Sequence, residues 1–416
     1  MKESRNLEFK ETVTNTFLKT VSAYANYGDG VILFGVADNG AVTGLSDPVQ
    51  TCLDIENRIN DSIDPVPKYE FGVDEKTSVV SLKVFEGLHK PYLYKAQAYR
   101  RNDTATVAVD RQELTELILE GKNMSFEETE ASAQDLSFGY LAKKLSETLH
   151  TGEITADLLK TLELYSEDQG INKAGELLAD TNGFCGTQVV RFGDSISVIL
   201  DRESYERVSI LKQYDASVGM YRKYYQYEQI KGSKRETVSL VPEAAFREAI
   251  ANAIVHRKWD INANISVSMF PDRIEIVSPG GLPKGISRED YLRGGISILR
   301  NRIIGNVFFR LHLIERFGTG IRRINDEYEN SVRKPVFEVS DTSIRITLPV
   351  MQEKNDLAPD ENKVYMLLKG KSMSSSAIAK SAQFGKSKTL IILKKLVDGG
   401  YVRVSGTGRG TTYSAG

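Results

Sequence analysis

The chain has 416 residues, 41% of them apolar and 26% charged, which are ordinary globular proportions and exclude wholesale disorder. No stretch approaches the roughly 18 uninterrupted apolar residues of a membrane helix. Its two cysteines, Cys52 and Cys185, are far apart and have no neighbouring histidines, which excludes a disulfide framework or a cysteine zinc site. The polar start, residues 1–6, is followed by no apolar h-region, so the reading expects no secretory signal and a reducing, cytoplasmic compartment. The net charge of -2 hides a split. Residues 361–416 carry 10 Lys/Arg against 2 Asp/Glu, and the 360 residues before them carry 44 against 54. A basic tail on an acidic body points to a nucleic-acid-facing module, although a solvated lysine-rich face has the same composition.

Length alone corresponds to about three domains. Residues 1 to about 120 read as α/β. Helical spacing over Thr12–Tyr27 stops at Gly28-Asp29-Gly30, and Val31–Val36 is a continuous apolar run, as in a strand buried on both faces. Asp38-Asn39-Gly40 is a turn, Cys52–Ile63 a helix, Ser78–Val84 and Ala98–Arg101 strands, and Gln112–Leu119 a helix; Glu120–Glu130 reads as an acidic linker. Small helices and a strand pair follow to about residue 200. Glu203–Lys234, with six tyrosines among basic residues, reads as an amphipathic helix and connector; aromatics between lysines can stack bases, but a packed helix face is the commoner use. Pro242–Lys258 is a strong helix, Ile265–Met269 and Arg273–Val277 are strands, Leu311–Glu329 is a helix, and Met351–Asp360 is a polar linker.

Near the start, Glu3, Glu8 and Lys10 follow the spacing E-x-x-x-x-E-x-K. If Glu8-Phe9-Lys10 is extended, Glu8 and Lys10 share one face. Asp38 lies just past the C-terminal end of a buried strand, a common place for ligating carboxylates. Three carboxylates and a lysine suit a magnesium or manganese nuclease: the acids hold the cation and the lysine steadies developing negative charge. The stretches Glu3–Lys10, Val21–Asn26, Gly30–Gly44, Pro91–Arg101 and Asp103–Thr106 resemble the Schlafen/AlbA-like domain. That resemblance implies a nucleic-acid-binding core over residues 1–122 and, as in Schlafen nucleases that cut tRNA and rRNA, an acidic metal cluster at Glu3, Glu8 and Asp38 with Lys10 as the motif lysine. Since those nucleases pair two lobes and one copy is found here, a homodimer is expected. Tyr99, Arg100 and Arg101 are candidate contacts to the nucleic-acid backbone.

In the Glu243–Arg257 stretch, Glu248, Asn252 and His256 fall on one helical face at i, i+4 and i+8. An amide oxygen there can ligate magnesium, and a glutamate one turn earlier can orient a water. The helix resembles the N-box of GHKL-type ATPases, in the divergent form found in bacterial RecG-like, transcriptional-regulator-type proteins. Asp272–Pro283, with Gly280 and Gly281, stands where the first glycine box lies, and Glu315–Ile321, with Gly318, Thr319 and Gly320, resembles the second. Glycines let backbone N–H groups approach phosphates at a helix start. The resemblance implies ATP as ligand and Asn252 as a magnesium ligand, yet Ser278-Pro279-Gly280-Gly281 carries no acid where that family reads adenine with an aspartate. After a helical connector with a strand pair over 131–235, residues 236–352 are thus a GHKL-like α/β sandwich.

Residues 360–416 show three short helices and two strands around a glycine-rich turn, the pattern of a winged helix-turn-helix. The third helix begins with Lys386, Ser387 and Lys388, where a recognition helix meets the major groove, while Arg403 and Arg409 suit phosphate or minor-groove contact. A dimerisation or docking wing has the same outline. The expected architecture is a multidomain α/β and α+β chain. Two functions fit it: a Mg2+- or Mn2+-dependent endoribonuclease acting on tRNA-type substrates under nucleotide control, in stress or phage defence, or a non-catalytic DNA-binding transcriptional regulator with an ATP-sensing centre.

Overall fold

The apolar run at residues 31–36 becomes the spine of the first part of the chain. In the computed structural model, which describes residues 2–150, 153–232, 234–283, 285–294, 298–315, 318–351, 357–406 and 408–415, the chain divides into two units, Met1–Phe126 and Glu127–Gly416. In the first, Gly30–Phe34 is an inner strand of a four-stranded sheet. It pairs in parallel with Leu7–Lys10 and antiparallel with Val79–Val84, beyond which lies Tyr69–Asp74. The Phe17–Tyr27 helix packs on this sheet, with Phe17 edge-on to Phe34 at 5.3 Å between ring centroids. Two of its polar residues are buried for a structural reason. Ser22 Oγ and Asn26 Nδ2 donate to the Tyr92 carbonyl at 2.7 and 2.9 Å, and Asn26 Oδ1 accepts from the Tyr92 amide at 2.8 Å. A short hairpin, Tyr99–Asn102 with Ala105–Ala108, lies along the same helix.

The acidic segment expected as a linker over 120–130 is partly structural. The Arg111–Gly121 helix enters it, and a 3-10 turn at Phe126–Glu128 buries Glu127 completely. Within the second unit its carboxylate accepts from the Ile303 and Ile304 amides at 2.6 and 3.0 Å, capping the Arg302–Arg310 helix. Asn301, at that helix's N-cap, has its amide committed to the Val255 and Arg257 carbonyls, so the first-turn N–H groups need this outside acceptor. Burial outweighs the two amide bonds and pushes the Glu127 carboxyl up to about 7. A folded value above the ordinary one means that the folded state holds the proton more tightly. The associated stability is therefore full below pH 4.5 and is lost as pH rises through 7, a difference of about 3 kcal/mol. In urea unfolding, the stability of the wild type relative to Glu127→Gln is expected to fall between pH 5 and pH 8, since the other titrating groups are common to both proteins.

The second unit is organised on a six-stranded sheet in the order Ile199–Tyr205, Thr187–Phe192, Ile265–Met269, Arg273–Pro279, Ser343–Pro349, Val336–Val339. Its neighbours are antiparallel except for the parallel pair Thr187–Phe192 and Ile265–Met269. Two strands from before residue 236 thus belong to the central sheet. The tyrosine-rich segment is a helix, Ile210–Tyr225, followed by a hairpin of Gln226–Lys231 and Lys234–Ser239. Tyr214, Tyr221 and Tyr225 are buried, and Tyr221 stacks on Phe246 at 4.7 Å, so these rings pack helix to helix and cannot receive bases. The helix expected over 311–329 is shorter, Gly320–Glu327, and a separate helix, Arg302–Arg310, ends just before that range. The separating segment includes Gly318, whose φ of +62° a helix cannot accommodate. The tail forms three helices, Pro359–Leu368, Ser375–Ala382 and Lys386–Asp398, and a small sheet of Ser372–Met373, Thr412–Ala415 and Val402–Ser405. Val364, Leu368, Ile378, Leu393 and Leu396 are at its core. Among the described residues, no helix is long and apolar enough to cross a membrane.

Candidate functional site

In the first unit, Glu3, Glu8, Lys10 and Asp38 border one cleft together with Lys19, Thr20, Arg101 and Thr106. The shared cleft agrees with the sequence reading, but the chemistry of the acids does not. Glu8 is 4% exposed and both its oxygens are committed: Oε1 lies 2.6 Å from Lys10 Nζ, and Oε2 accepts from Thr20 Oγ1 at 2.7 Å and from Arg101 Nη1. Glu3 Oε1 accepts from the Phe9 amide at 2.9 Å, tying the first residues to the strand. Asp38 is exposed on the turn. Among the described residues, no group of three or more acidic, histidine or cysteine side chains is placed to hold a metal ion. The expected cluster of Glu3, Glu8 and Asp38 is therefore corrected. A buried carboxylate already paired with a guanidinium and a lysine has little negative charge to spare for a cation, so Glu8 as placed is a poor ligand for Mg2+ or Mn2+.

Arg101 and Tyr99 are corrected with it. Arg101 is 7% exposed, and beyond Glu8 it donates to Thr106 Oγ1 at 3.0 Å and to the Ser4 carbonyl at 3.1 Å. Tyr99 packs in the core, its hydroxyl donating to Gln97 at 3.0 Å. Both are largely buried and engaged in internal contacts, which leaves little of either for a nucleic-acid backbone. Arg100 stays partly exposed beside Glu113, 2.9 Å away. Lys10, Lys19, Thr104 and Thr106 line the same cleft.

In the second unit the Glu243–Val255 helix faces the first turn of Gly320–Glu327 across a pocket. Glu248, Asn252, His256, Gly318, Thr319 and Gly320 all line it, as the motif reading expects. The two motifs are pressed together. A Cβ on Gly320 would stand 2.4 Å from Glu248 Oε1 and 2.7 Å from Asn252 Nδ2, so only glycine lets the backbone approach those side chains. Asn252 Nδ2 donates to Glu248 Oε1 at 3.2 Å, which leaves the amide oxygen as the group a hard cation would use. Thr319, at the N-cap of the Gly320–Glu327 helix, makes no side-chain cap bond, and its orphan amides suit an anion. These features fit the phosphate end of a nucleotide.

Burial pushes the Glu248 carboxyl upward, with Arg323 and Asn252 partly offsetting it. Burial and the Arg300 guanidinium push the His256 imidazole down to about 4, so it is neutral at pH 7 and offers one donor and one acceptor. Much of the remaining lining is apolar, including Ile276, Leu282, Ile314, Ile344 and Ile346, with Ser278, Tyr291 and Glu315 as polar exceptions. Gly280 and Gly281 are the exception among the motif glycines. Neither lines the pocket; a Cβ on Gly280 would strike Lys258 at 2.6 Å, and one on Gly281 the Asp341 and Ser340 carbonyls at 2.7 and 2.8 Å. They pack the strand end, and their neighbours Ser278 and Leu282 do the lining.

Sequence reasoning passed over Tyr291, and it placed Arg300-Asn301 in the pattern between the two glycine boxes without giving either a role. Tyr291 lines the pocket, its hydroxyl pushed up to about 12 by burial and so kept protonated. Arg300 donates to the His256 and Gly281 carbonyls at 3.1 and 2.7 Å, joining the end of the Glu243–Val255 helix to the first glycine segment. No spacing marks such a long-range clamp. In the tail, Lys386, Ser387 and Arg403 are exposed, and Lys388, also exposed, is 2.6 Å from Asp360. The Arg409 side chain lies outside the described residues.

The first unit is thus an α/β domain, and the second sets a helix against a glycine-rich helix start beside a pocket. Residues 3–110 match the family described as Schlafen, AlbA_2, and residues 262–348 match the one described as "Putative ATP-dependent DNA helicase recG C-terminal", an HATPase domain. The chain carries both domains, a pairing that points to a nucleic-acid-related, ATP-binding protein. Among solved structures, it is similar to the DIP2311 protein from Corynebacterium diphtheriae at 19% identity, over 99% of this chain and 92% of that one, with a TM-score of 0.49. It is also similar to the N-terminal domain of a RecG-related protein from Nitrosomonas europaea at 20% identity, over 27% of this chain and 84% of that one, with a TM-score of 0.20. No curated protein matches.

Proposed function

We propose that this chain is a non-catalytic nucleic-acid-binding regulator whose central domain senses ATP. The observation that carries the proposal is the pocket in which Glu248 and Asn252 meet the uncapped first turn of Gly320–Glu327. Nucleic acid is held at two places: the Lys10 and Lys19 rim of the first unit, and the tail, read as a winged helix, whose Lys386–Asp398 helix starts with exposed Lys386, Ser387 and Lys388. A ligand that prefers one arrangement of the second unit shifts its population, and with it the presentation of the tail. Arg333 supplies a physical link, since its Nη2 donates to the Asp398 carbonyl at 3.2 Å at the end of that helix. A homodimer would give a palindromic duplex two such tails.

The endoribonuclease reading keeps one supporting observation, the cleft shared by Glu3, Glu8, Lys10 and Asp38. A single set of incubations separates the two. Wild-type protein is expected to bind labelled duplex without shortening tRNA in Mn2+. Lys386→Gln/Lys388→Gln is expected to flatten the salt dependence of duplex binding by roughly one unit of slope per lost phosphate contact. Cleavage of tRNA that needs Mn2+ and disappears in Glu8→Gln would overturn the regulator in favour of the nuclease.

A further inference from the structure

The first turn of Gly320–Glu327 carries two consecutive arginines with different attachments. Arg322 donates from Nε and Nη2 to the Arg293 and Gly294 carbonyls at 3.3 and 3.1 Å, and so fastens the end of the Arg288–Arg293 helix beside the pocket. Arg323 is half exposed and turned toward carboxylates. Its Nη1 is 3.8 Å from Glu248 Oε2 and its Nη2 is 3.5 Å from Glu315 Oε1.

Both separations exceed the 2.7–2.9 Å or so of a close charge-assisted pair, so two loose partners share a guanidinium with five donors. Glu248 is the more buried of the two, its side chain 10% exposed against 55% for Glu315. Glu248 also presses on Gly320, and both Glu248 and Glu315 line the pocket. A cation on this turn stands one residue from Arg322 and within reach of any phosphate drawn to the helix start.

Resting on the ATP-sensing reading of this pocket, we propose that Arg323 is a positioning residue that exchanges partners, from Glu248 to the terminal phosphate of a bound nucleoside triphosphate. It then serves as the element by which the pocket separates triphosphate from monophosphate. While paired with Arg323, Glu248 is held toward the helix turn; once Arg323 leaves, its free oxygen is available to order a water or a cation's hydration shell. The ion pair therefore competes with the ligand. A competitor predicts a coupling that a purely structural contact does not: neutralising Glu248 strengthens triphosphate binding when Arg323 is present and does so less when it is absent.

Calorimetric titration of the full chain with Mg-ATP and with AMP tests this. Arg323→Gln is expected to weaken ATP by about tenfold and AMP by less than twofold, with Arg323→Lys restoring part of the ratio as a point charge. Glu248→Gln is expected to tighten ATP severalfold in the wild-type background and not in Arg323→Gln. An ATP-to-AMP ratio unchanged in Arg323→Gln, or equal gains from Glu248→Gln in both backgrounds, would overturn the exchange while leaving the ATP-sensing reading intact. If the wild type binds neither nucleotide, that reading itself fails and the exchange with it.

Discussion

Gly320→Ala is expected to lower the affinity for Mg-ATP by roughly 100-fold while leaving thermal unfolding nearly unchanged. The added Cβ would meet Glu248 Oε1 at 2.4 Å and Asn252 Nδ2 at 2.7 Å, both at the far ends of side chains that can swing away. The fold accommodates the methyl group; the site does not, because the Cβ crowds the helix-start amides proposed to hold the phosphate and displaces the Asn252 amide proposed to hold its cation. Losing charge-assisted contacts of about 1.5–3 kcal/mol each accounts for the size of the effect. Calorimetric titration beside a melting curve checks it. A large fall in melting temperature with unchanged affinity would mean that Gly320 serves packing alone.

The second large effect lies in the first unit. Arg101→Ala removes the guanidinium from a carboxylate that is 4% exposed and is expected to cost about 3–5 kcal/mol, because the charge left behind has lost its main partner. Glu8→Gln/Arg101→Gln removes both charges and is expected to recover most of that loss. Asp38→Asn, at an exposed turn, is expected to stay within about 0.5 kcal/mol. Hydrogen exchange on peptides spanning residues 7–34 reads this unit apart from the other. A single mutant as stable as the wild type would show that Glu8 is free, and would reopen the metal-site reading.

Much of this architecture is legible in the chain because it depends on local signals. The apolar run at 31–36, the stop at Gly28-Asp29-Gly30 and the i, i+4, i+8 face of Glu248, Asn252 and His256 each depend on a few neighbouring residues, and each stands where expected. The glycine boxes divide by role. Gly318 and Gly320 are at the pocket because a helix begins there, whereas Gly280 and Gly281 are required by the close approach of Lys258 and of the 340–341 backbone, which no local pattern displays.

The acidic cluster is the instructive miss. Glu8 and Lys10 do share a strand face, but Arg101, 93 positions away, arrives through the Tyr99–Asn102 strand and occupies the carboxylate. An arginine next to two residues with plausible surface roles reads as a backbone contact until the pairing of strands buries it. Glu127 is similar: one acid in an acidic stretch looks solvated, and becomes a helix cap only because a helix 176 residues later presents its amides.

On the proposed function, nucleotide occupancy of the second unit changes how the chain holds nucleic acid. Fluorescence anisotropy of a labelled DNA duplex, titrated with the full chain in magnesium with and without saturating ATP, tests it most directly. Saturating ATP is expected to shift duplex affinity by at least about fivefold, the lower end of ordinary allosteric coupling, and Gly320→Ala to abolish the shift. Superimposable curves from a wild-type protein that calorimetry shows to be saturated with ATP would contradict it.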